Sequence, residues 1–269
     1  MQSAPFRDNV VVITGGSSGI GREMARQLAL QGAKLALAAR DKSLLEEAVT
    51  ECRSIGAEAI AVPMDVSSKQ QCFELIDAAL SAFGRIDTLV NNAGISMHSR
   101  FDELNDLNAV DRIIQVNLLG SIYCTHFALP HLKKTRGRLV AVSSVTGKAG
   151  VPTRSVYAAS KHGMAGFFDS LRIELAPEGV SVTVVYPGFV ATEIAQRAIG
   201  PDGNVLGERP VHDTEVMPVN ECARIIIEAA ARRDRERLMS LNARLGLIIK
   251  PIAPKLVDKM AERAIRRGR

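Results

Sequence analysis

The chain has 269 residues, which is enough for one large α/β domain and does not require two. Hydrophobic residues make up 46% of it, which supports a sizeable core, whereas 4% aromatic residues and no Trp argue against an aromatic platform for nucleic acid or carbohydrate. The net charge of +5 is concentrated at the end, because from Arg232 onward twelve Lys and Arg stand against four Asp and Glu.

Cysteine usage and the first residues give two further expectations. The four cysteines stand singly, with no C-x-x-C pair and no His cluster, so neither a metal site nor a disulfide framework is predicted. Residues 1–8 lack the charged segment followed by an apolar segment that marks a signal peptide. We therefore predict a cytoplasmic protein.

The first predicted strand, residues 9–13, is continuously apolar and rich in β-branched residues, which is typical of a strand buried on both faces of a parallel sheet. It leads directly into a glycine-rich loop, residues 14–21, and then into a helical pattern. Glycines spaced G-x-x-x-G-x-G permit a tight turn and close approach of a pyrophosphate to the helix N-terminus. The loop predicts a phosphate-binding site formed by Gly15, Ser17, Ser18, Gly19, Ile20 and Gly21.

The second predicted strand, residues 34–39, ends at Arg40. In a dinucleotide-binding sheet the tip of this strand meets the adenosine ribose, where a carboxylate suits a 2′-hydroxyl and an arginine suits a 2′-phosphate. Arg40 therefore favours NADP(H) as the cofactor, and NAD(H) stays possible because Asp41 follows immediately. Asp41 either caps the next helix or reaches the ribose itself.

The next predicted strands also end in polar or small residues. The strand 57–62 is followed by Asp65 and Val66, and Asp65 either holds an adenine amino group or serves as a turn or N-cap residue. Helices are predicted over residues 44–55 and 69–83. The strand 86–90 ends in a segment of amides and small residues, which in an open α/β sheet belongs beside a ligand and contains Asn91, Asn92, Ala93 and Gly94.

A long helix is predicted over residues 106–132, with the amide of Asn117 inside an apolar stretch. This amide is a paired structural group, a local helix distortion or a holder of water near the site. The strand 137–144 then delivers Ser144, and a helix follows over residues 155–176. The strand 180–185 closes the series at Pro187 and Gly188.

The helix 155–176 carries a tyrosine and a lysine four positions apart. That spacing places Tyr157 and Lys161 on one helix face, with Cβ atoms about 5–6 Å apart. A neighbouring ammonium favours the phenolate, so the pair predicts a tyrosine whose pKa is lowered from about 10 toward neutrality. The tetrapeptide alone is also typical of a pair on the surface of a helix. The choice between a surface pair and a reactive pair therefore depends on the other motifs of the chain.

The repeated alternation of strand and helix predicts a single-domain, Rossmann-type doubly wound parallel sheet with helices on both faces, over residues 1–240. Residues 190–218 are rich in Gly, Pro and polar residues, which predicts a mobile lid over a substrate pocket. Residues 241–269 form a basic amphipathic extension, whose apolar stretch is too short to span a bilayer. We expect this extension to lie on an anionic membrane or against a neighbouring subunit.

Together these motifs resemble the classical short-chain dehydrogenases/reductases over residues 8–192. Ser144 precedes Tyr157 by 13 positions and Asn117 precedes it by 40, which is similar to the spacing in that family. The motifs that carry the resemblance are Thr14-Gly15-x-x-x-Gly19-x-Gly21, Asp65-Val66, Asn91-Asn92-Ala93-Gly94, Asn117, Ser144, Tyr157-x-x-x-Lys161 and Pro187-Gly188.

The resemblance implies hydride transfer between the nicotinamide C4 and a carbonyl or alcohol carbon. It makes Tyr157 the general acid/base and Ser144 the hydrogen-bond partner of the substrate oxygen. Lys161 would lower the pKa of Tyr157 and bind the nicotinamide ribose, and Asn117 would position a water. The resemblance also implies further cofactor contacts at Pro187, Gly188, Val190 and Thr192.

We therefore expect an NADP(H)-dependent oxidoreductase that interconverts a secondary alcohol and a ketone. Arg40 matches family members that use NADP(H), although Ser17 replaces a basic residue that some of them carry. The family implies a homodimer or homotetramer. A lipophilic substrate, such as a steroid-like or acyl carbonyl compound, is expected from the apolar tail and from Val151, Phe189 and Met217.

The sequence also bears on two other classes of function. A cofactor-binding regulatory or scaffold protein on the same fold is the alternative, and the intact set of Ser144, Tyr157 and Lys161 argues against it. A nucleic-acid binder is not expected, because the body of the chain is acidic and no aromatic residues accompany the charges of the tail.

Overall fold

A seven-stranded parallel sheet forms the centre of the computed structural model, which describes residues 4–208 and 216–267. The strand order is β3-β2-β1-β4-β5-β6-β7. The strands are β1 (Val10–Thr14), β2 (Lys34–Ala39), β3 (Ala59–Pro63), β4 (Thr88–Asn91), β5 (Arg138–Val142), β6 (Ser181–Tyr186) and β7 (Glu236–Leu238).

Helices cover both faces of this sheet. They are α1 (Gly19–Ala29), α2 (Lys42–Ser54), α3 (Lys69–Phe83), α4 (Asn108–Ile114), α5 (Gly120–Thr135), α6 (Ser155–Leu175), α7 (Val219–Arg232), α8 (Leu241–Ile249) and α9 (Pro254–Arg267). A π-helical turn, Gln115–Leu119, joins α4 to α5, and short 3-10 turns lie at Phe101–Glu103, Val145–Gly147 and Ala176–Glu178. The single-domain, doubly wound fold predicted from the sequence is confirmed.

The central strand β1 is buried on both faces, as its unbroken apolar sequence predicts. Because side chains alternate along a strand, Val11 and Ile13 pack with the layer of α1, α2 and α7, and Val12 packs with the layer of α3, α5 and α6. Each layer contributes an apolar helix face, exemplified by Met24 on one side and Phe168 on the other. The core therefore has two halves separated by the sheet.

Several predicted bounds shift by a few residues. The third strand is Ala59–Pro63 instead of 57–62, and α2 begins at Lys42 because the carboxylate of Asp41 accepts a hydrogen bond from Leu44 N at 3.0 Å. The predicted helix 106–132 is present, although its π-helical turn interrupts the α-helical hydrogen bonding. The short edge strand β7 was not predicted.

The described part of the predicted lid pairs with the body of the protein. Ile199 N donates to Ser96 O at 2.9 Å and His98 N donates to Ile199 O at 2.9 Å, so this part of the lid pairs with the segment that follows β4. Arg112 donates to the carbonyl of Gly203 and lies 3.6 Å from the Asp106 carboxylate. Residues 209–215 of the predicted lid lie outside the described residues, and the mobility of the lid stays a prediction.

The basic extension forms α8 and α9. Arg244 donates to Leu238 O at 3.0 Å and Lys250 Nζ donates to Lys148 O at 3.1 Å, so α8 is fixed to the body near both of its ends. In the described part of the chain, none of the helices combines the length and the apolar character needed to cross a membrane.

The first turn of α1 yields a stability prediction. A Cβ atom on Gly21 would overlap the Gly15 carbonyl and lie 2.6 Å from Asn92 Nδ2, so Gly21→Ala forces the glycine loop away from α1. We expect a loss of about 2–3 kcal/mol in the free energy of unfolding, measured by urea denaturation. Gly166→Ala is the control, since a Cβ there meets nothing within 4 Å; this change should stabilise α6 by up to about 1 kcal/mol. Similar losses in both variants would contradict the packing argument.

Candidate active site

A cleft opens at the carboxyl ends of the strands, where the strand order reverses between β1 and β4. Such a crevice is the usual ligand site of an open parallel sheet. Sixteen of the predicted site residues line it: Gly15, Ser18, Gly19, Ile20, Arg40, Asp65, Asn92, Ala93, Gly94, Ser144, Tyr157, Lys161, Pro187, Gly188, Val190 and Thr192.

The glycine loop presents main-chain groups to one end of the cleft. Gly15 and Gly19 have φ values of 68° and 53°, in the left-handed region that favours glycine. Ser18 stands at the N-cap of α1, yet its side chain does not cap the helix. The first N–H groups of α1 are therefore available to an anion at the cleft, and this geometry fits the pyrophosphate of a dinucleotide.

Arg40 lies at the same end of the cleft. Its side chain is exposed, lines the cleft and makes no hydrogen bond or ion pair with any residue that the structure describes. The alternatives left open for Asp41 are resolved, since its carboxylate caps α2 through Leu44 N. Asp65 accepts from both Ser67 N at 2.9 Å and Ser67 Oγ at 2.8 Å, so it stabilises the turn before α3 while lining the cleft.

Tyr157 and Ser144 meet at the other end of the cleft. Tyr157 is 6% exposed, and the hydroxyl of Ser144 interacts with its phenol. Ser144 is held in turn by Thr146 N, which donates to Ser144 Oγ at 3.3 Å. Two hydroxyl groups thus converge on one point of the cleft, an arrangement suited to bind and protonate a carbonyl oxygen.

The pKa of Tyr157 is raised, chiefly because burial disfavours the phenolate. The positive charge of Arg154 and the hydrogen bond from Ser144 act in the opposite direction without overcoming burial. The Arg154 guanidinium lies 5.3 Å from the centre of the Phe189 ring, and its Nε is buried without a hydrogen-bond partner among the described residues. The prediction that Lys161 lowers the pKa of Tyr157 is therefore wrong for this structure.

Lys161 explains why that prediction fails. Its side chain is 3% exposed and its ammonium donates to the carbonyl of Val142 at 2.9 Å, while lying 5.9 Å from the centre of the Tyr157 ring. Burial lowers the pKa of Lys161 to about 8. The helix spacing thus places the two residues on one face, but the ammonium binds the end of β5 instead of the phenol.

Asn117 connects the loop after β4 to α6. Its Oδ1 accepts from Ile95 N at 2.8 Å, and its Nδ2 donates to Ile95 O and to Ser160 Oγ, both at 2.9 Å. Ser160 Oγ donates onward to the main-chain carbonyl of Tyr157 at 2.8 Å. Asn117 is fully buried inside the π-helical turn, so it is both a paired structural amide and the site of a helix distortion.

Seven further predicted residues do not line the cleft. Ser17, Gly21 and Val66 are buried, and Val66 contacts Gly120. Of the predicted substrate residues, Phe189 stacks against Arg154, and Met217 joins the apolar core through its backbone pairing with Val190. The remaining residues outside the lining are Val151 and the buried Asn117.

Other lining residues were missed at the sequence level. Arg112, Gln115 and Val116 have helical spacing i, i+3, i+4 and face the cleft from α4 and the π-helical turn, so the signal was present in the long predicted helix. The lid has no regular periodicity that could have identified its lining side chains. The missed residues are Ser67, Ile95, Arg112, Gln115, Val116, Val142, Ser143, Glu193, Ile194, Arg197, Ile199 and Val205.

Comparison with known proteins identifies the family. The family model described as short chain dehydrogenase matches residues 9–200. The chain belongs to the short-chain dehydrogenase family. A solved structure of a short chain dehydrogenase/reductase from Burkholderia phymatum, in complex with NAD, superposes on this short-chain dehydrogenase with a TM-score of 0.83 at 28% identity, covering 94% of this chain and 96% of the other.

Curated relatives give the same family assignment. The 11-beta-hydroxysteroid dehydrogenase-like 4A of Arabidopsis thaliana is 45% identical over 190 residues, which are 70% of this short-chain dehydrogenase and 63% of that protein. The 11-beta-hydroxysteroid dehydrogenase A of Arachis hypogaea is 38% identical over 256 residues, or 93% and 73% of the two chains. The alignment thus spans less than two thirds of the first relative.

Within residues 4–208 and 216–267, no group of three or more His, Cys, Asp or Glu side chains is arranged to hold a metal ion. The four cysteines are buried and free. Burial raises the pKa of Cys52 to about 11 and that of Cys222 to about 12, so neither thiol is a ready nucleophile.

The buried ammonium of Lys161 predicts a pH-dependent contribution to stability. Between about pH 8 and the ordinary lysine pKa of 10.5, the unfolded chain keeps a proton that the folded chain has lost, so the free energy of unfolding rises with pH in this window. Lys161→Met removes the group at similar volume. Across this window, urea denaturation should show that the free energy of unfolding of the wild type rises by about 1 kcal/mol per pH unit relative to that of the variant. A difference that does not change with pH would show that the ammonium is not desolvated.

Proposed function

We propose that this protein is an NADP(H)-dependent oxidoreductase that interconverts a secondary alcohol and a ketone. The convergence of the Ser144 and Tyr157 hydroxyls beside the buried Lys161, at one end of the cleft, carries the proposal. The glycine loop at the other end fits a pyrophosphate, so one cleft has room for both a dinucleotide and a small organic substrate.

The bound nicotinamide would supply or accept the hydride, and the residues of the chain handle the oxygen and its proton. Ser144 donates a hydrogen bond to the substrate oxygen and Tyr157 donates the proton during reduction. Because the carbonyl oxygen gains negative charge in the transition state, these preorganised donors stabilise that state more than the bound ketone. The raised pKa of Tyr157 keeps the phenol protonated at neutral pH, which is the form that reduction requires.

Lys161 and Asn117 would support proton supply and cofactor binding. With a pKa of about 8, the Lys161 ammonium can release and recover a proton near neutral pH, and it lines the cleft where a nicotinamide ribose would lie. The π-helical turn around Asn117 bonds Gly120 N to Gln115 O, five residues back. We assign to Asn117 and this turn a water that relays protons between Lys161 and solvent.

The cofactor preference rests on the tip of β2. The Arg40 guanidinium lines the cleft and pairs with none of the residues that the structure describes, which suits the charge and geometry of a 2′-phosphate. Asp41 caps α2 through its carboxylate and is not among the residues that line the cleft. The solved neighbour from Burkholderia phymatum holds NAD, and its cofactor is a property of that protein.

The substrate is proposed to be an apolar carbonyl compound of steroid-like or acyl type. Apolar side chains line the cleft from the segment after β4 and from the lid, including Ile95, Ile194, Ile199 and Val205. The relatives named 11-beta-hydroxysteroid dehydrogenase support this class. The polar side chains of Arg112, Gln115, Glu193 and Arg197 also line the cleft and would contact polar substituents of the substrate.

Replacing the proposed general acid tests the reaction. Tyr157→Phe should lower kcat on a ketone panel with NADPH by about 1,000-fold or more, since no group remains to protonate the oxygen. NADPH binding, measured by fluorescence titration, should be retained. Tyr123→Phe is the matched control, because Tyr123 lies partly buried on α5 without a lysine four positions later, and it should keep full activity. Tight NADPH binding by wild type without turnover of any ketone would favour a regulatory protein instead.

Replacing Arg40 tests the cofactor choice. Arg40→Ala removes a charge-assisted contact with the 2′-phosphate and should raise KM for NADPH by about 10- to 100-fold while leaving KM for NADH nearly unchanged. Lys134→Ala, at an exposed position near the end of α5, should affect neither cofactor. Equal losses with both cofactors, or a wild-type preference for NADH, would overturn the NADP(H) assignment.

A further inference from the structure

The C-terminal extension exposes an unusual amount of apolar surface. Leu245, Ile248, Ile252 and Leu256 are 54%, 68%, 86% and 49% exposed. Single exposed apolar residues are common in proteins, but four large ones within one short segment form a patch that needs a partner. Leu245 and Ile248 are three positions apart on α8 and therefore share a helix face.

Positive charge surrounds this patch. Arg244, Lys250, Lys255 and Lys259 are exposed beside the apolar side chains, whereas Asp258 and Glu262 are the two acidic residues from position 241 to the end of the chain. Lys255 and Lys259 are four positions apart on α9 and present their charges on one side of that helix. A partner of this surface must offer both apolar volume and negative charge.

We propose that the extension docks on an anionic lipid bilayer, with α8 and α9 lying in its interface. The apolar patch would enter the boundary between headgroups and acyl chains while the lysines and arginines contact anionic headgroups, as in interfacial amphipathic helices. Duplex nucleic acid would satisfy the charges but not the isoleucines and leucines. A bilayer satisfies both, and the described helices are too short or too polar to span it.

The docked surface lies beside the cleft. Ser240, directly before α8, approaches Gly188, which lines the cleft; a Cβ on that glycine would lie 3.9 Å from Ser240 Cβ. Lys250 bonds Lys148 O in the loop that follows Ser144 by a few positions. Docking would therefore bring the substrate end of the cleft near the lipid surface, although the docking itself does not depend on the reaction.

Flotation with vesicles tests the proposal without an activity readout. The full chain should bind vesicles of phosphatidylcholine and phosphatidylserine, bind weakly to phosphatidylcholine alone, and be released by high salt. Ile248→Ser with Ile252→Ser should lower the partition coefficient by about tenfold or more. Lys255→Gln with Lys259→Gln should lower it by about fivefold per charge, on anionic vesicles only. Leu30→Ser, at a 61% exposed leucine on the body, is the matched control and should leave binding unchanged.

Three results would overturn the proposal. One is binding that does not differ between the two vesicle types or between wild type and the tail variants. Another is a smaller molar mass of the isoleucine variant in light scattering without lipid, which would show that a second copy of the chain covers the patch. The third is salt-sensitive retention on duplex DNA without vesicle binding, which would make the tail a nucleic-acid contact.

Discussion

Hydrogen bonds between the ends of β1 and β4 hold the cleft together. Thr14 Oγ1 accepts from Asn92 N and Ala93 N at 3.0 and 3.1 Å, and Asn92 Nδ2 donates to Thr14 O and Gly15 O at 3.0 and 3.1 Å. These bonds fix the two loops that leave the sheet at the point where strand order reverses. The glycine-loop end and the Tyr157 end of the cleft keep their relative position because this junction is bonded by both main-chain and side-chain groups.

A second set of contacts connects this junction to α6. Ile95 follows the Asn92 segment and is bonded by the amide of Asn117, which also bonds Ser160 on α6. Ser143 Oγ donates to Lys161 O at 3.2 Å and ties the end of β5 to the same helix. The phenol of Tyr157 thus projects from a helix held by neighbours on two sides, which fixes its position in the cleft.

Much of this arrangement follows from patterns visible in the sequence. Alternating apolar strands and helices specify the sheet, and in a parallel sheet all carboxyl ends share one edge, so polar residues after successive strands must meet there. The hydrogen bond of Lys161 to the end of β5 could not be predicted, because helix spacing shows which residues share a face and not which acceptor an ammonium group binds. The burial of Tyr157 could not be predicted either, because it depends on the packing of the whole cleft. Which lid residues line the cleft depends on long-range pairing, such as that of Ile199 with the segment after β4.

That pairing of the lid has an evolutionary consequence. The contacts that anchor Ile199 run through main-chain groups of Ser96 and His98, and main-chain hydrogen bonds do not depend on the identity of the side chains that the lid carries. Lid side chains such as Ile194, Arg197 and Val205 can therefore be exchanged by mutation while the seven-stranded sheet and the Ser144–Tyr157 chemistry persist. A single scaffold can in this way acquire new substrates at little cost to folding.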